Sequence, residues 1–334
     1  MDKREQLGPW VRRFLLEYLI KERNMSLNTQ HSYRDTLAML LPFLSVSAGK
    51  SLDRLEVNDM SAGAVRLFLI NLEEKRKVSA RTRNQRLAAI HSIARFIAEY
   101  SPQHVAWYGE IRTVRFKRMA RTLISYLDKA EIEALLSVPD HSTVSGRRNY
   151  ALLLFLYNSG ARASEAAHLQ IADLVLGADA HQTASARIQG KGGKVRLCPL
   201  WKKTAMELAP LVDQRPGKEH VFLNARGESL TRFGIYGVVK ACLQRASKHM
   251  PSLLAKRVSP HTLRHSTATH LLRAGVDINT IRPWLGHVSL DTTHVYAEVD
   301  LEMKARALEM CSVGAGEKPV VAAGGEILAF LRRI

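Results

Sequence analysis

Apolar residues recur at helical spacing through the first third of the chain. Trp10, Phe14, Tyr18 and Leu19 share one helical face, and Tyr33, Leu37, Leu40, Leu41 and Leu44 form a second stripe, expected to stop near Pro42 and Gly49. Val65, Phe68, Leu69 and Leu72 form a third stripe; Leu87, Ile90, Ala94 and Ile97 form a fourth, opened by Ser79 as a cap. Four short amphipathic helices of this kind close on one another as a small bundle. Between residues 109 and 123 the apolar period fades, while Arg112, Arg115, Lys117, Arg118 and Arg121 crowd together. That pattern reads as a basic linker.

A second helical region follows. Asp128 and Glu131 have capping-box spacing ahead of Ile132, Leu135 and Leu136. Residues 150–157 are almost continuously apolar, so that helix is expected to be buried. Between residues 184 and 200 the period changes to two: Ala186 and Ile188, then Val195 and Leu197, alternate with polar residues around Gly190-Lys191-Gly192-Gly193. This predicts a β-hairpin with a glycine-rich tip. Helical patterns return from about Phe233 to Leu308. After the breaks at Gly314, Gly316, Pro319 and Gly324-Gly325, Ile327, Leu328, Leu331 and Ile334 make one last short stripe. The expected fold class is mainly α with a small antiparallel sheet. Its divisions are 1–108, a helical bundle; 109–123, a linker; 124–312, a second, mainly helical domain with the sheet; and 313–334, a tail with a short helix.

Charge narrows the partner. Lys and Arg number 49 against 31 Asp and Glu, a net charge of +18. Such a surplus favours a polyanion, because each neutralised phosphate releases counterions. Arg81, Arg83 and Arg86 on the fourth helix, with Arg115, Lys117 and Arg118 in the linker, are candidate DNA contacts; each is equally readable as a solvated basic face. Cys198, Cys242 and Cys311 have neither zinc spacing nor a disulfide framework. With no signal-like start and no apolar window of membrane length, the expectation is a cytoplasmic protein, nucleoid-associated when bound, with no membrane partner.

The chemistry-bearing residues are scattered. In Ser259-Pro260-His261-Thr262-Leu263-Arg264-His265, Ser and Pro favour a helix start, which puts His261 and Arg264 on one face near an anion-attracting N-terminus. His261 and His265 also have zinc-helix spacing, but no acid lies between them and no third ligand stands out. Arg162 follows a glycine break and stands three residues before Glu165, able to offer its planar fork to phosphate or to pair structurally. Lys191 sits at the hairpin tip. Leu285-Gly286-His287 precedes a helical stretch, 289–298, that carries Tyr296, a nucleophile if cations nearby stabilise its phenolate. With no Walker loop, no acid cluster for magnesium and no dinucleotide fingerprint, phosphate chemistry would fall to Arg, Lys and His, so no cofactor and no metal are expected.

In this order the motifs Gly160-Ala161-Arg162-Ala163-Ser164-Glu165, Gly190-Lys191-Gly192-Gly193-Lys194, His261-Thr262-Leu263-Arg264-His265, Leu285-Gly286-His287 and Tyr296 resemble the tyrosine recombinase (phage integrase) family, closest to its Xer-like and transposon-associated site-specific members. The resemblance implies that the N-terminal bundle is a SAM-like core-binding domain. It implies that Tyr296 forms a 3′-phosphotyrosyl bond, that Arg162 and Arg264 hold the phosphate oxygens, and that Lys191 protonates the departing 5′-oxygen. His261 would serve as acid–base partner, His287 as a phosphate hydrogen-bond donor, and Glu165 as support. It further implies action on double-stranded recombination sites through a Holliday junction as a homotetramer, alone or with partner recombinases, and a tail helix that docks on a neighbouring protomer.

Two other readings compete. A type IB topoisomerase would use a similar residue set as a monomer; the Xer-like spacing and the N-terminal bundle argue against it. A decayed, DNA-binding relative would lack a key residue, and all six catalytic positions are present. One departure from the family pattern is Pro283, within the helix ahead of Leu285-Gly286-His287, where a kink is expected.

Overall fold

The computed structural model describes residues 5–119, 125–177 and 183–286. The chain divides into two compact units, Met1–Thr122 and Leu123–Ile334.

In the first unit, α1 (Leu7–Arg13) runs straight into a π-helical stretch, Phe14–Glu22. Its face of Trp10, Phe14, Tyr18 and Leu19 is buried, with Phe96 packed against Phe14 and Tyr18 at ring separations of 5.5 and 4.8 Å. Helix α2 (Leu27–Ala48) starts at the Ser26 cap and runs through Pro42 to Gly49, whose φ of +64° closes it. The expected stop at Pro42 is therefore corrected. The carbonyl that Pro42 leaves without a helical partner belongs to Ala38, an exposed residue that water can reach. Ser61 caps α3 (Ala62–Arg76), and Ser79 caps α4 (Ala80–Tyr100), as its position before the fourth stripe suggested.

A further helix, α5 (Val105–Arg112), joins this bundle and corrects the linker boundary at 109. Trp107, Ile111 and Val114 are buried in the same core, and the Trp107 indole donates to the Met60 carbonyl at 3.0 Å. Beyond α5 the chain is tied back to α4: Arg83 donates to the Arg115 carbonyl at 2.9 Å. Asn84 both donates to the Lys117 carbonyl and accepts from its N–H, at 2.8 and 2.9 Å. The apolar period faded in the sequence because α5 has two turns only, and two buried residues among basic ones make no visible stripe.

In the second unit, α6 (Lys129–Leu136) opens with the expected capping box, Glu131 N–H to Asp128 at 2.8 Å and Asp128 N–H to Glu131 at 3.0 Å. Helix α7 (Val144–Ser159) buries residues 150–156 in the core, as the apolar run required. It is followed by the five-residue α8 (Ala163–Ala167). The hairpin is β2 (Ser185–Gln189) with β3 (Val195–Pro199), and a short strand that the sequence did not show, β1 (Leu174–Val175), adds to β2; all pairs are antiparallel. Register pairs Ile188 with Arg196 and Ala186 with Cys198. These cross-strand partners share a face, so β3 turns Arg196 and Cys198 inward and leaves Val195 and Leu197 exposed, opposite to what its apolar alternation suggests.

The remaining described helices are α9 (Lys202–Val212), α10 (Arg232–Ala246), α11 (Pro260–Arg273) and α12 (Ile278–Leu285). Ser259 caps α11, which packs along α7: Thr267 donates to the Tyr157 carbonyl at 2.6 Å, while Ser266 accepts from the Leu127 N–H at 2.8 Å. Pro283 lies inside α12, which continues to Leu285 and ends at Gly286 with φ +66°. The architecture is mainly helical with a small antiparallel sheet. The expected helix at 289–298 and the tail at 313–334 lie outside the described residues.

Candidate active site

The end of α7 sets the first residue of the site. Gly160 takes φ +59°, and a Cβ there would collide with Leu285 Cδ2, so a glycine is needed for both the turn and the close approach. The chain then turns so that Arg162 is the N-cap of α8. Glu165 at the third helical position accepts the Arg162 N–H at 2.9 Å and its guanidinium at 2.5 Å. The capping spacing thus does more than start a helix: it holds the arginine side chain against a carboxylate that is almost fully buried.

Glu165 has a second guanidinium partner. Arg196, from the inward face of β3, donates to its other carboxylate oxygen at 2.7 Å and is itself nine-tenths buried. Burial pushes the Glu165 carboxyl up. The Arg196 guanidinium, aided by the Arg162 N–H and side chain, more than reverses this, and the net position is below the usual carboxylate range. Gly190 brings the hairpin base to the same place, for a Cβ there would lie 3.5 Å from the Glu165 carboxylate and 3.7 Å from Arg196. Lys191 follows in the short turn Lys191–Gly193; its side chain lies outside the described residues.

Arg264 is buried in α11 and donates to two helix ends, the Gly160 carbonyl at 2.7 Å and the Leu285 carbonyl at 2.6 Å. Cations are favoured at helix C-termini, where unpaired carbonyls concentrate negative charge. One guanidinium therefore fastens the turn before Arg162 to the turn before His287. His261, on the first turn of α11, is exposed at the N-terminal end. Loss of hydration holds its imidazole below the ordinary range, the positive charges of Arg264 and Arg162 act in the same direction, and Glu165 opposes them. Its neighbour His265 is pushed down to about 4 by burial, then by His261 and Arg264. Among the described residues, no group of three or more His, Cys, Asp or Glu is placed to hold a metal.

The structure thus brings together Arg162, Glu165, the base of the Lys191 hairpin, His261, Arg264 and the Gly286 turn. His287 and Tyr296 lie outside the described residues. Sequence reasoning missed Arg196. The signal available was register: counting back from the Gly190 turn pairs Arg196 with the inward Ile188.

The candidate DNA contacts of the first unit divide. Arg81, Arg115 and Arg118 are exposed. Arg83 is buried on the Arg115 carbonyl, Arg86 donates to the Ser32 carbonyl and Thr36 hydroxyl at 3.1 and 3.0 Å, and Lys117 pairs with Glu73 at 2.7 Å. The first two are spent on fastening the bundle, which a basic helix face in the sequence could not reveal.

A buried carboxylate set among guanidiniums, beside a helix start bearing an imidazole, is an arrangement able to receive an anion such as a phosphate. Family models give the class of the protein. Residues 125–303 match the phage integrase family and residues 12–99 match the phage integrase N-terminal SAM-like domain. The chain belongs to the phage integrase family, the tyrosine recombinases. It is 39% identical over 336 residues to "Putative integrase/recombinase y4rC" of Sinorhizobium fredii (strain NBRC 101917 / NGR234), which covers 100% of both chains. It is 32% identical over 301 residues to tyrosine recombinase XerC of Pelobacter propionicus, covering 87% of this chain and 91% of that one. Among solved structures, the XerH site-specific recombinase bound to palindromic difH substrate superposes with a TM-score of 0.66 at 22% identity, covering 89% of this chain and 83% of that one. The Tn1549 transposon integrase in complex with a circular intermediate DNA gives 0.69 at 16% identity, covering 90% and 99%. No helix among the described residues is long and apolar enough to cross a membrane.

Proposed function

We propose that this chain cuts and rejoins double-stranded DNA at specific sites, with Tyr296 as nucleophile. The observation that carries this reading is the convergence of Arg162 and Arg264: Arg264 is hydrogen-bonded to Gly160, two residues from Arg162, although the two arginines are far apart in sequence. In the reaction the Tyr296 phenol oxygen bonds to the scissile phosphorus as the bond to the 5′-oxygen breaks. His261 takes the phenol proton, a task suited to an imidazole kept neutral by its surroundings. Lys191 gives a proton to the departing 5′-oxygen. Arg162 and Arg264 stabilise the charge that builds on the non-bridging oxygens, His287 adds a hydrogen bond, and Glu165 orients Arg162. The 3′-phosphotyrosyl bond conserves the energy of the broken linkage, so a second 5′-hydroxyl reverses the step without ATP.

Exchange of strands between two sites proceeds through a Holliday junction in a homotetramer, alone or with partner recombinases. The DNA-bound forms of XerH and of the Tn1549 integrase support DNA as the substrate. Arg81, Arg115 and Arg118 contribute backbone contacts, and Lys117 can exchange Glu73 for a phosphate because that pair is exposed.

The test is a nicked suicide duplex carrying the chain's own site, mapped from covalent cleavage of flanking DNA. Native protein forms a denaturation-resistant protein–DNA adduct and Tyr296→Phe forms none. A native chain that binds this site without ever forming the adduct would sink the proposal.

A further inference from the structure

Glu165 accepts from two guanidinium groups at once. Oε1 takes the Arg162 side chain at 2.5 Å, while Oε2 takes the Arg162 N–H at 2.9 Å and Arg196 at 2.7 Å. Exposure differs sharply along this row: the Arg162 side chain is 30% exposed, against 9% for Arg196 and 4% for Glu165. Only Arg162 reaches toward solvent, where a DNA phosphate must arrive.

Charge then decides what each arginine can do. An Arg162–Glu165 pair by itself is neutral, and an incoming phosphate would meet the carboxylate as well as the guanidinium, at close range and in poor solvent screening. Two guanidiniums on one carboxylate leave a net positive charge, and Arg162 is the more exposed of the two. Arg196 is also wedged against the backbone of two motifs. A Cβ on Gly286 would lie 3.2 Å from its Nη1 and 3.4 Å from its Cδ, and one on Gly190 would lie 3.7 Å from Nη1. Among the described residues its Nε is buried without a hydrogen-bond partner.

We infer that Arg196 is a positioning residue for phosphate binding: it takes up the charge of Glu165, so that the carboxylate can hold Arg162 in place without cancelling its attraction for the scissile phosphate. It also seats the Gly286 turn that leads into His287. Arg196 does not touch the substrate; it acts through Glu165 and Arg162. The inference rests on reading this cluster as a recombinase active site.

The experiment measures single-turnover adduct formation by the full chain on the mapped suicide duplex, made once with an ordinary scissile phosphate and once with a neutral methylphosphonate. Arg196→Met should slow cleavage of the phosphate about 100-fold, near the loss seen when one transition-state donor is removed. On the methylphosphonate, which has no charge for Arg162 to offset, the defect should shrink to within about fivefold. Adding Glu165→Gln to Arg196→Met should recover about tenfold on the phosphate, because the amide no longer cancels Arg162. Arg196→Lys, which keeps the charge but not the planar fork, should fall between the native protein and Arg196→Met. The Arg196→Met defect on the phosphate should also narrow as pH falls, since burial then acts on Glu165 with less opposition and protonation, like the amide, removes the charge that cancels Arg162.

Native adduct with an undiminished rate in Arg196→Met overturns the inference alone. So does an equal loss on both substrates without rescue by Glu165→Gln, which marks a merely structural arginine. If Arg196→Met does not fold, Arg196→Lys and the double variant are compared on the two substrates, and an equal defect on both again overturns it. No adduct from the native chain on its mapped site overturns the recombinase reading itself.

Discussion

Both units of this protein bury arginine, and they use it differently. In the first, Arg83 and Arg86 each reach to oxygens of neighbouring segments, the Arg115 carbonyl in one case and the Ser32 carbonyl with the Thr36 hydroxyl in the other. They are separate fasteners between α4 and what lies beside it. In the second, Arg162, Arg196 and Arg264 adjoin the same few residues, Gly160, Glu165 and Gly286. The second unit also holds its own control. Glu131 is as buried as Glu165, but it faces one cation, Lys256, with Ser252 and its own capping role. A buried charge by itself therefore says little about function; several cations converging on one carboxylate and two helix ends say much more.

The largest expected contrast comes from matched arginine deletions. Arg264→Ala should lower suicide-substrate cleavage about 1000-fold, while duplex binding in a gel-shift assay weakens less than about tenfold, since most affinity comes from other phosphate contacts. Arg83→Met should cost about 1–3 kcal/mol of stability in urea denaturation, because it removes the buried guanidinium that ties the Arg115 carbonyl to α4, with the cleavage rate of the DNA-bound complex within about twofold of native. Equal loss of cleavage in both variants would erase the distinction between fasteners and site.

A smaller effect probes the turn that leads into His287. Gly286→Ala forces a side chain into a left-handed conformation and against Arg196, 3.2 Å away. The strain should cost about 1–3 kcal/mol, and displacement of the neighbouring groups should slow cleavage about tenfold. A variant that loses stability and keeps its full rate would show that the turn serves the fold alone.

The mildest test uses pH. His265 titrates at about 4 in the folded chain against 6.5 for the free side chain. The unfolded chain therefore binds a proton that the folded chain refuses, and stability falls as pH drops from 6.5 toward about 4. His265→Gln should flatten that part of the dependence, read as the difference between urea midpoints at about pH 7 and about pH 5. An unchanged slope would place the acid sensitivity elsewhere, in His261 or in the aromatic-paired His270, both also held low by burial.

Much of this was legible before any coordinates. The caps at Ser79, Asp128 and Ser259 are local hydrogen-bonding patterns written in three or four adjacent residues, and the structure contains each of them. The apolar stripes of the first unit and the run at 150–156 are buried as their period requires. Failures came where local signals compete with packing. Pro42 is a helix breaker by propensity, yet α2 passes through it because only a carbonyl on an exposed residue loses its partner. Ile111 and Val114 belong to a core that begins far upstream, so a window of basic residues hid them. On the site, Arg162, Glu165, His261 and Arg264 were readable as motifs. Arg196 was not, because an arginine between Val195 and Leu197 looks like the solvent side of a strand.

The amino acids in sequence order were sufficient for the mainly helical class, since caps, periodicity and a glycine turn depend on neighbours within a few residues, and the order of the motifs carried the resemblance to the recombinase family. What the amino acids in sequence order could not decide was which charges meet. That Arg264 spans the ends of α7 and α12, and that Arg196 rather than Val195 faces Glu165, follow from strand register and from helices packed across long chain separations. A one-residue shift in that register would turn Arg196 to the opposite face without changing a single local preference.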